Sequence, residues 1–344
     1  MSLSTFQQTF DPAFAAFLQE RAAETKRDTE DAAVAAYVDD AVALARGGKR
    51  ARPYLCAVAY AGAGGADEAL IRRLGHALEC FQLFCLLQDD VMDRAQTRHG
   101  LPALHRAVER RLRDAGADPA KAAHAAEGQA VLLGDLYFAW SVHAAFAASA
   151  PAGVAREYAD MAATVIGGQM LDVDFTLRAR VDTRGIEKKM RLKTAGYSFV
   201  SPLRIGLAAA GAPPETLDWS RAFGTEAGLG FQMQDDLRDV FRDEPGAVLL
   251  NDIREGQKTP LTQHVMEYGT DAQRASLAAM LGNPAFTDVA AARALFRDSG
   301  AEAACREATQ RHYNAAEALL ADAPLAPAAT DDLRALLAWL RGRA

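Results

Sequence analysis

Six aspartates in two distant boxes carry the chemistry that this sequence advertises. The first box, Asp89, Asp90 and Asp93, closes an apolar run in which Leu74, Leu78, Phe81, Phe84, Cys85, Leu87 and Val91 fall near a 3.6-residue period. That period predicts a helix, and the i,i+4 relation sets Asp89 and Asp93 on one face of it. Asp is a poor helix former, and clustered anions raise one another's pKa unless positive charge neutralises them. Two hard carboxylates one turn apart suit Mg2+, which prefers oxygen ligands and shares its shell with water and phosphates. A lone DDxxD is equally well explained as a solvated acidic face, so the second copy matters. Residues 230–240 read GFQMQDDLRDV, again an apolar, glutamine-containing run leading into Asp235, Asp236 and Asp239. If the two helices face each other, their carboxylates make a cage for more than one divalent ion, able to grip a diphosphate.

The elements that must position these boxes read as helices almost throughout. Asp11-Pro12 is a helix-start signal, and helix formers continue to about residue 45. A glycine pair and a basic stretch, residues 47–53, precede a helix over about 53–60. After the first box a loop at 114–119 leads to an alanine-rich helix over about 120–148, and Pro151 restarts another. A charged helix spans 186–206 with a break expected near Gly196, and residues 211–214 turn into the helix of the second box. Residues 243–258 read as a loop, long enough to be functional. The rest is helical, broken near 282–284 and 323–324. Alternating β-branched runs and NG or DG turns are nearly absent. The expectation is an all-α chain in one domain, 1–344.

Composition sets outer bounds. The chain has 344 residues, 50% hydrophobic and 24% charged, as expected of a soluble globular protein. A net charge of −7 argues against a nucleic-acid partner. Cys56, Cys80, Cys85 and Cys305 form no CxxC pair and read as reduced thiols of a cytoplasmic protein. No signal-peptide pattern opens the chain, and no apolar run reaches the roughly 20 residues that span a bilayer.

Six motifs in order then resemble the trans-prenyl diphosphate synthases, the polyprenyl synthetase family. They are GGKRARP (47–53), DDVMDRAQTRHGLP (89–102), GGQMLD (167–172), KTAGYSFVSPL (193–203), FQMQDDLRDVF (231–241) and DIREGQKT (252–259). The motif-bearing core runs over about 47–262. The resemblance implies an isoprenoid synthase fold: antiparallel helices around a deep central cavity, in a homodimer. It implies three Mg2+ ions and the condensation of isopentenyl diphosphate with an allylic diphosphate (dimethylallyl, geranyl or farnesyl).

Carried over residue by residue, the resemblance gives two Mg2+ to Asp89 and Asp93 and the third to Asp235. Asp90, Asp236 and Asp239 support them. Arg98 and Lys193, and more weakly Lys258, contact the allylic diphosphate; Lys49 and Arg52, with Gln82, bind the isopentenyl diphosphate. Thr194, the Lys193 carbonyl and Gln232 turn their dipoles to the carbocation, and Gln169 and Asp172 line the same wall. The released diphosphate takes the proton, so no side-chain base is nominated. Lys188, Lys189 and Arg191 read as a solvated helix face, and His76 and His105 as structural.

Two departures stand out. His99 replaces a second arginine, and a mostly neutral imidazole grips phosphate less well than a guanidinium. The loop after the second box lacks the family's lysine, and Gln257 stands at the later lysine position, with Lys258 next to it. Chain length turns on the helix below the first box. At 1.5 Å per residue Phe84 lies about 7.5 Å below Asp89 and Phe81 about 12 Å below it, whereas Cys85 is small. One aromatic at the deeper position favours a C20 over a C15 product. A class I terpene cyclase is disfavoured because the second box is aspartate throughout, and a non-catalytic subunit because both boxes are intact.

Overall fold

The structure, a computed structural model, describes residues 2–45, 47–98, 101–147, 150–243 and 248–342. Two compact units emerge: Met1–Ala57 with Ala66–Ala150, and Val58–Gly65 with Pro151–Ala344. Among the described residues the only strands are β1 (Thr97–Arg98) and β2 (Leu101–Pro102), an antiparallel pair of two residues each. The all-α expectation holds.

In the first unit α1 (Leu3–Thr29) and α2 (Ala32–Leu44) precede α3 (Ala51–Gly62), whose last turn belongs to the second unit. α4 (Glu68–Met92) carries the first acidic box, followed by α5 (Leu104–Asp114) and α6 (Pro119–Phe146). α4 packs against α6.

The expected start at Asp11-Pro12 is wrong. α1 begins nine residues earlier, capped by the Ser2 hydroxyl, which accepts from the Thr5 amide at 3.1 Å, and Pro12 lies inside it. A proline inside a helix costs about 3 kcal/mol. Here Phe6, Phe10, Phe14 and Leu18 recur at i,i+4 and are all buried, with the Phe6–Phe10 and Phe10–Phe14 rings stacked at 5.1 and 5.6 Å. That burial outweighs the local signal. Nor does the first helix continue unbroken to residue 45: Glu30 turns left-handed (φ 48°) and Asp31 caps α2.

In the second unit α7 (Ala152–Leu177) and α8 (Thr183–Met190) lead into a π-helical segment, Arg191–Val200, and α9 (Ser201–Ala209). The expected break near Gly196 does not occur; the backbone instead widens to i→i+5 pairing, with the Ser201 amide donating to the Gly196 carbonyl. Such widening is frequent where a helix carries functional groups. α10 (Pro214–Phe241) bears the second box, and α11 (Asn251–Glu255) is a short helix inside the stretch expected to be a loop. α12 (Pro260–Tyr268), α13 (Asp271–Met280), α14 (Val289–Asp298), α15 (Ala301–Leu319) and α16 (Pro327–Arg341) complete the unit. Met190, Leu229, Met233, Leu237, Val265 and Phe296 share its core, which fixes the face that α10 turns inward.

All four cysteines are free thiols. Among the described residues no helix is long and apolar enough to cross a membrane.

Candidate active site

Both acidic boxes lie in the last turns of long helices. Asp89 and Asp90 end α4 and Asp93 caps it; Asp235, Asp236 and Asp239 occupy the last two turns of α10. A helix C-terminus carries partial negative charge, so clustered carboxylates there are destabilising until cations arrive.

In the first unit Asp90 is buried, and Arg98 on β1 clamps it: Nε donates to Oδ1 at 2.8 Å and Nη2 to the same oxygen. The same guanidinium passes 3.9 Å from Asp89. Burial pushes the Asp90 carboxyl up, opposed by Arg98, and its Oδ2 is buried with no hydrogen bond. The loop thus brings Arg98 to the box, where it pairs with Asp90. His99 lies outside the described residues.

The basic stretch before α3 is organised by a residue that sequence reasoning passed over. Arg50, in the left-handed region at φ 54°, turns inward and is buried. Its Nε donates to Asp11 at 2.7 Å, its Nη1 to the buried Glu79 at 2.9 Å and its Nη2 to the Ala45 carbonyl at 2.9 Å. Burial pushes Glu79 up, while the Arg50 and Arg52 charges pull it down. Lys49 is exposed, its carbonyl held by Gln7 at 3.0 Å, and Arg52 is half-buried. Gln82 stands three residues after Glu79 on α4, half-buried. Below the box Phe81 and Phe84 meet Phe138 of α6, ring centroids 6.0 and 5.3 Å away. Cys85 is half-buried beside them.

In the second unit one network joins α7, the π segment, α10 and α11. Thr194 donates to Gln232 Oε1 at 2.5 Å, and Gln232 Nε2 donates to Asp236 at 2.7 Å. The two expected dipoles are therefore brought together, although Gln232 is turned toward the acidic box. Asp239 accepts from the Asn251 and Asp252 amides at 3.1 Å each, which anchors α11 on the box. Burial, opposed by Gln232 and Lys189 and reinforced by its neighbouring aspartates, pushes Asp236 up to about 7. Asp239 rises to about 6, through burial and the Asp235 charge against its amide donors. Asp252, which sequence reasoning missed as a member, is raised by burial and by Asp239 and Asp236.

α7 contributes Gln169 and Asp172, three residues apart and so on one face. Gly168 lets the π segment approach: a Cβ there would stand 2.5 Å from the Lys193 amide nitrogen. Asp172 is ion-paired to both Lys189 and Lys193. Burial works against its charge, but the two lysines outweigh burial and hold the carboxyl below the usual range. Lys189 is therefore no solvated residue. It is buried against Asp172, because that carboxylate repays the loss of water around its ammonium. Its i,i+4 relation to Lys193 was the available sequence signal. Lys258 is also buried, its Nζ donating to the Gly256 carbonyl at 3.1 Å.

Among the described residues no three acidic, histidine or cysteine side chains converge to ligate an ion by themselves. The donor set still fits magnesium. The carboxylates are hard oxygens, raised by burial and mutual repulsion, and those of Asp236 and Asp239 stand at a helix end of negative potential. Magnesium takes one or two protein carboxylates and fills its shell from water and phosphate.

The family model for polyprenyl synthetase matches residues 38–298. This chain belongs to the polyprenyl synthetase family. It is a prenyltransferase with the family's all-α isoprenoid synthase fold. It is 28% identical over 247 residues to the geranylfarnesyl diphosphate synthase of Natronomonas pharaonis, covering 70% of this chain and 66% of that one. A geranylfarnesyl diphosphate synthase of Aeropyrum pernix is 29% identical over 307 residues, 85% and 88% of the two chains. A geranylgeranyl pyrophosphate synthase from Corynebacterium glutamicum, solved with isoprenyl diphosphate and magnesium, superposes with a TM-score of 0.86 at 27% identity, covering 97% of this chain and 99% of that one.

Proposed function

We propose that this polyprenyl synthetase condenses isopentenyl diphosphate head to tail with an allylic diphosphate, in a magnesium-dependent reaction whose product is C20 rather than C15. The observation that carries the reading is the pair of aspartate boxes, each at the C-terminal end of a long helix and each with a buried carboxylate that burial pushes up, Asp90 and Asp236. We read residues 1–344 as one synthase domain and the enzyme as a cytoplasmic homodimer. The stripe Ile166, Met170, Val173 and Leu177, exposed along α7, supports self-association.

Three magnesium ions, held by Asp89, Asp93 and Asp235 with Asp90, Asp236 and Asp239 in support, supply positive charge for the leaving diphosphate when bound. Arg98 and Lys193, and more weakly Lys258, donate to the allylic diphosphate, whose charge grows as its C–O bond lengthens. Lys49, Arg52 and Gln82 hold isopentenyl diphosphate, with His99 a weaker contributor. Thr194, Gln232 and the Lys193 carbonyl present dipoles to the allylic carbon as it becomes cationic, and Gln169 and Asp172 line that wall. The freed diphosphate accepts the proton lost after carbon–carbon bond formation. Phe84, with Phe81 beneath it and small Cys85 beside it, stops the tail. Among the relatives' names, geranylgeranyl corresponds to the C20 product proposed here and geranylfarnesyl to C25, one unit longer.

Purified enzyme incubated with Mg2+, isopentenyl diphosphate and each of dimethylallyl, geranyl and farnesyl diphosphate, with products sized chromatographically, tests the reading. Linear C20 product, abolished by EDTA and reduced about 100-fold or more in Asp235→Asn, is expected. A cyclised hydrocarbon, or diphosphate release without condensation, would overturn it.

A further inference from the structure

The Asp172 carboxylate lies between two ammonium groups that are not equivalent. Lys189 Nζ is 2.8 Å from Oδ1, whereas Lys193 Nζ and, at 3.3 Å, Gln257 Nε2 share Oδ2. The Lys189 side chain is 10% exposed, and its Nζ has a second tie, to the Lys258 carbonyl at 3.0 Å. Lys193 is 26% exposed and Asp172 only 4%. One lysine is thus sealed in at two points, and the other reaches toward solvent from the same carboxylate.

We propose that Lys189 is a positioning residue that keeps Asp172 neutralised so that Lys193 can leave it for a substrate diphosphate oxygen. A buried carboxylate that loses its counter-ion is strongly unfavourable, so with Lys193 as sole partner the pair would stay closed. With Lys189 on Oδ1 and Gln257 on Oδ2, Asp172 remains paired and hydrogen-bonded after Lys193 departs. Lys189 also favours the charged forms of Asp236 and Asp252, so its removal changes metal affinity as well. The inference rests on reading Lys193 as a diphosphate ligand.

Steady-state kinetics at saturating Mg2+, varying geranyl diphosphate and isopentenyl diphosphate separately, decide it. K189M raises the KM for geranyl diphosphate at least tenfold and leaves that for isopentenyl diphosphate within twofold; K189R retains most of the wild-type affinity. In a D172N background, where the Asp172 anion no longer holds Lys193, K189M changes the geranyl diphosphate KM by less than twofold. An equal tenfold loss in that background would mean that Lys189 acts by a route other than Asp172, and the proposal would fall. Should K189M alone fail to fold, D172N against K189M/D172N still applies the same criterion. K193A separates the two layers. A KM unchanged in K193A removes the ligand role and the proposal with it, whereas a raised KM in K193A with none in K189M removes the proposal alone.

Discussion

The Phe138 ring of α6 stands 5.3 Å from the Phe84 ring of α4, centroid to centroid, and Phe81 closes the cluster at 5.4 Å from Phe84. Three rings from two helices therefore cluster below the first acidic box, where the proposed stop for the growing chain lies. Phe84→Ala is expected to lengthen the product by one or more five-carbon units, and Phe138→Ala to do so alone. Chromatographic sizing of the products checks both, and unchanged length in both variants removes this cluster as the stop.

The buried Arg50–Glu79 pair gives a second test. Removing one partner of such a pair leaves an uncompensated charge and costs about 3–5 kcal/mol. Arg50→Met should lower stability by roughly that amount in urea unfolding. It should also raise the KM for isopentenyl diphosphate, since Lys49 and Arg52 lose the residue that fixes their loop. Glu79→Gln, which keeps a hydrogen-bond acceptor, should cost less.

His76 predicts an acid-sensitive fold. Its imidazole is buried against Phe10, Phe14 and Phe17, with ring centroids 5.0 to 5.6 Å away. Burial, helped by Arg72, pushes it down to about 4. In the unfolded chain histidine titrates near ~6.5, so between about 6.5 and 4 the unfolded state binds more protons. Its contribution is complete above about pH 6.5 and is lost as pH falls toward 4, by on the order of 3 kcal/mol. His76→Leu should lose this dependence, read as a smaller difference in urea midpoint between pH 7 and pH 4.5.

Gly168→Ala tests the approach of α7 to the π segment. Its new Cβ would meet Lys193 backbone nitrogen at 2.5 Å, and backbone cannot swing away as a side-chain end can. A loss of about 1–3 kcal/mol in urea unfolding is expected. Displacement of Lys193 should also reduce kcat/KM for the allylic substrate at least tenfold.

Self-association is tested on α7. Met170 is 68% and Leu177 85% exposed. Met170→Lys with Leu177→Lys should convert a dimer to monomer by light scattering on a sizing column; an unchanged mass would place any interface elsewhere.

Much of this enzyme was legible in its sequence. The 3.6-residue periods and the glycine and proline breaks are local signals, so helices such as α6 and α10 could be read within a few residues. Both acidic boxes, and Thr194 with Gln232, could be named from spacing and motif. Local signals also misled where packing outweighed them: the buried phenylalanine stripe carried α1 through Pro12, and Gly196 widened a helix instead of ending it. What only the tertiary structure decided is partnership across the chain. Arg50 finds Glu79 29 residues away, Lys189 finds Asp172, Phe84 finds Phe138, and α11 brings Asp252 to Asp239. A lysine's sequence neighbours do not say whether a carboxylate waits to replace its water. Burial and counter-charge are properties of the packed chain, and they decide which charged residues become part of the site.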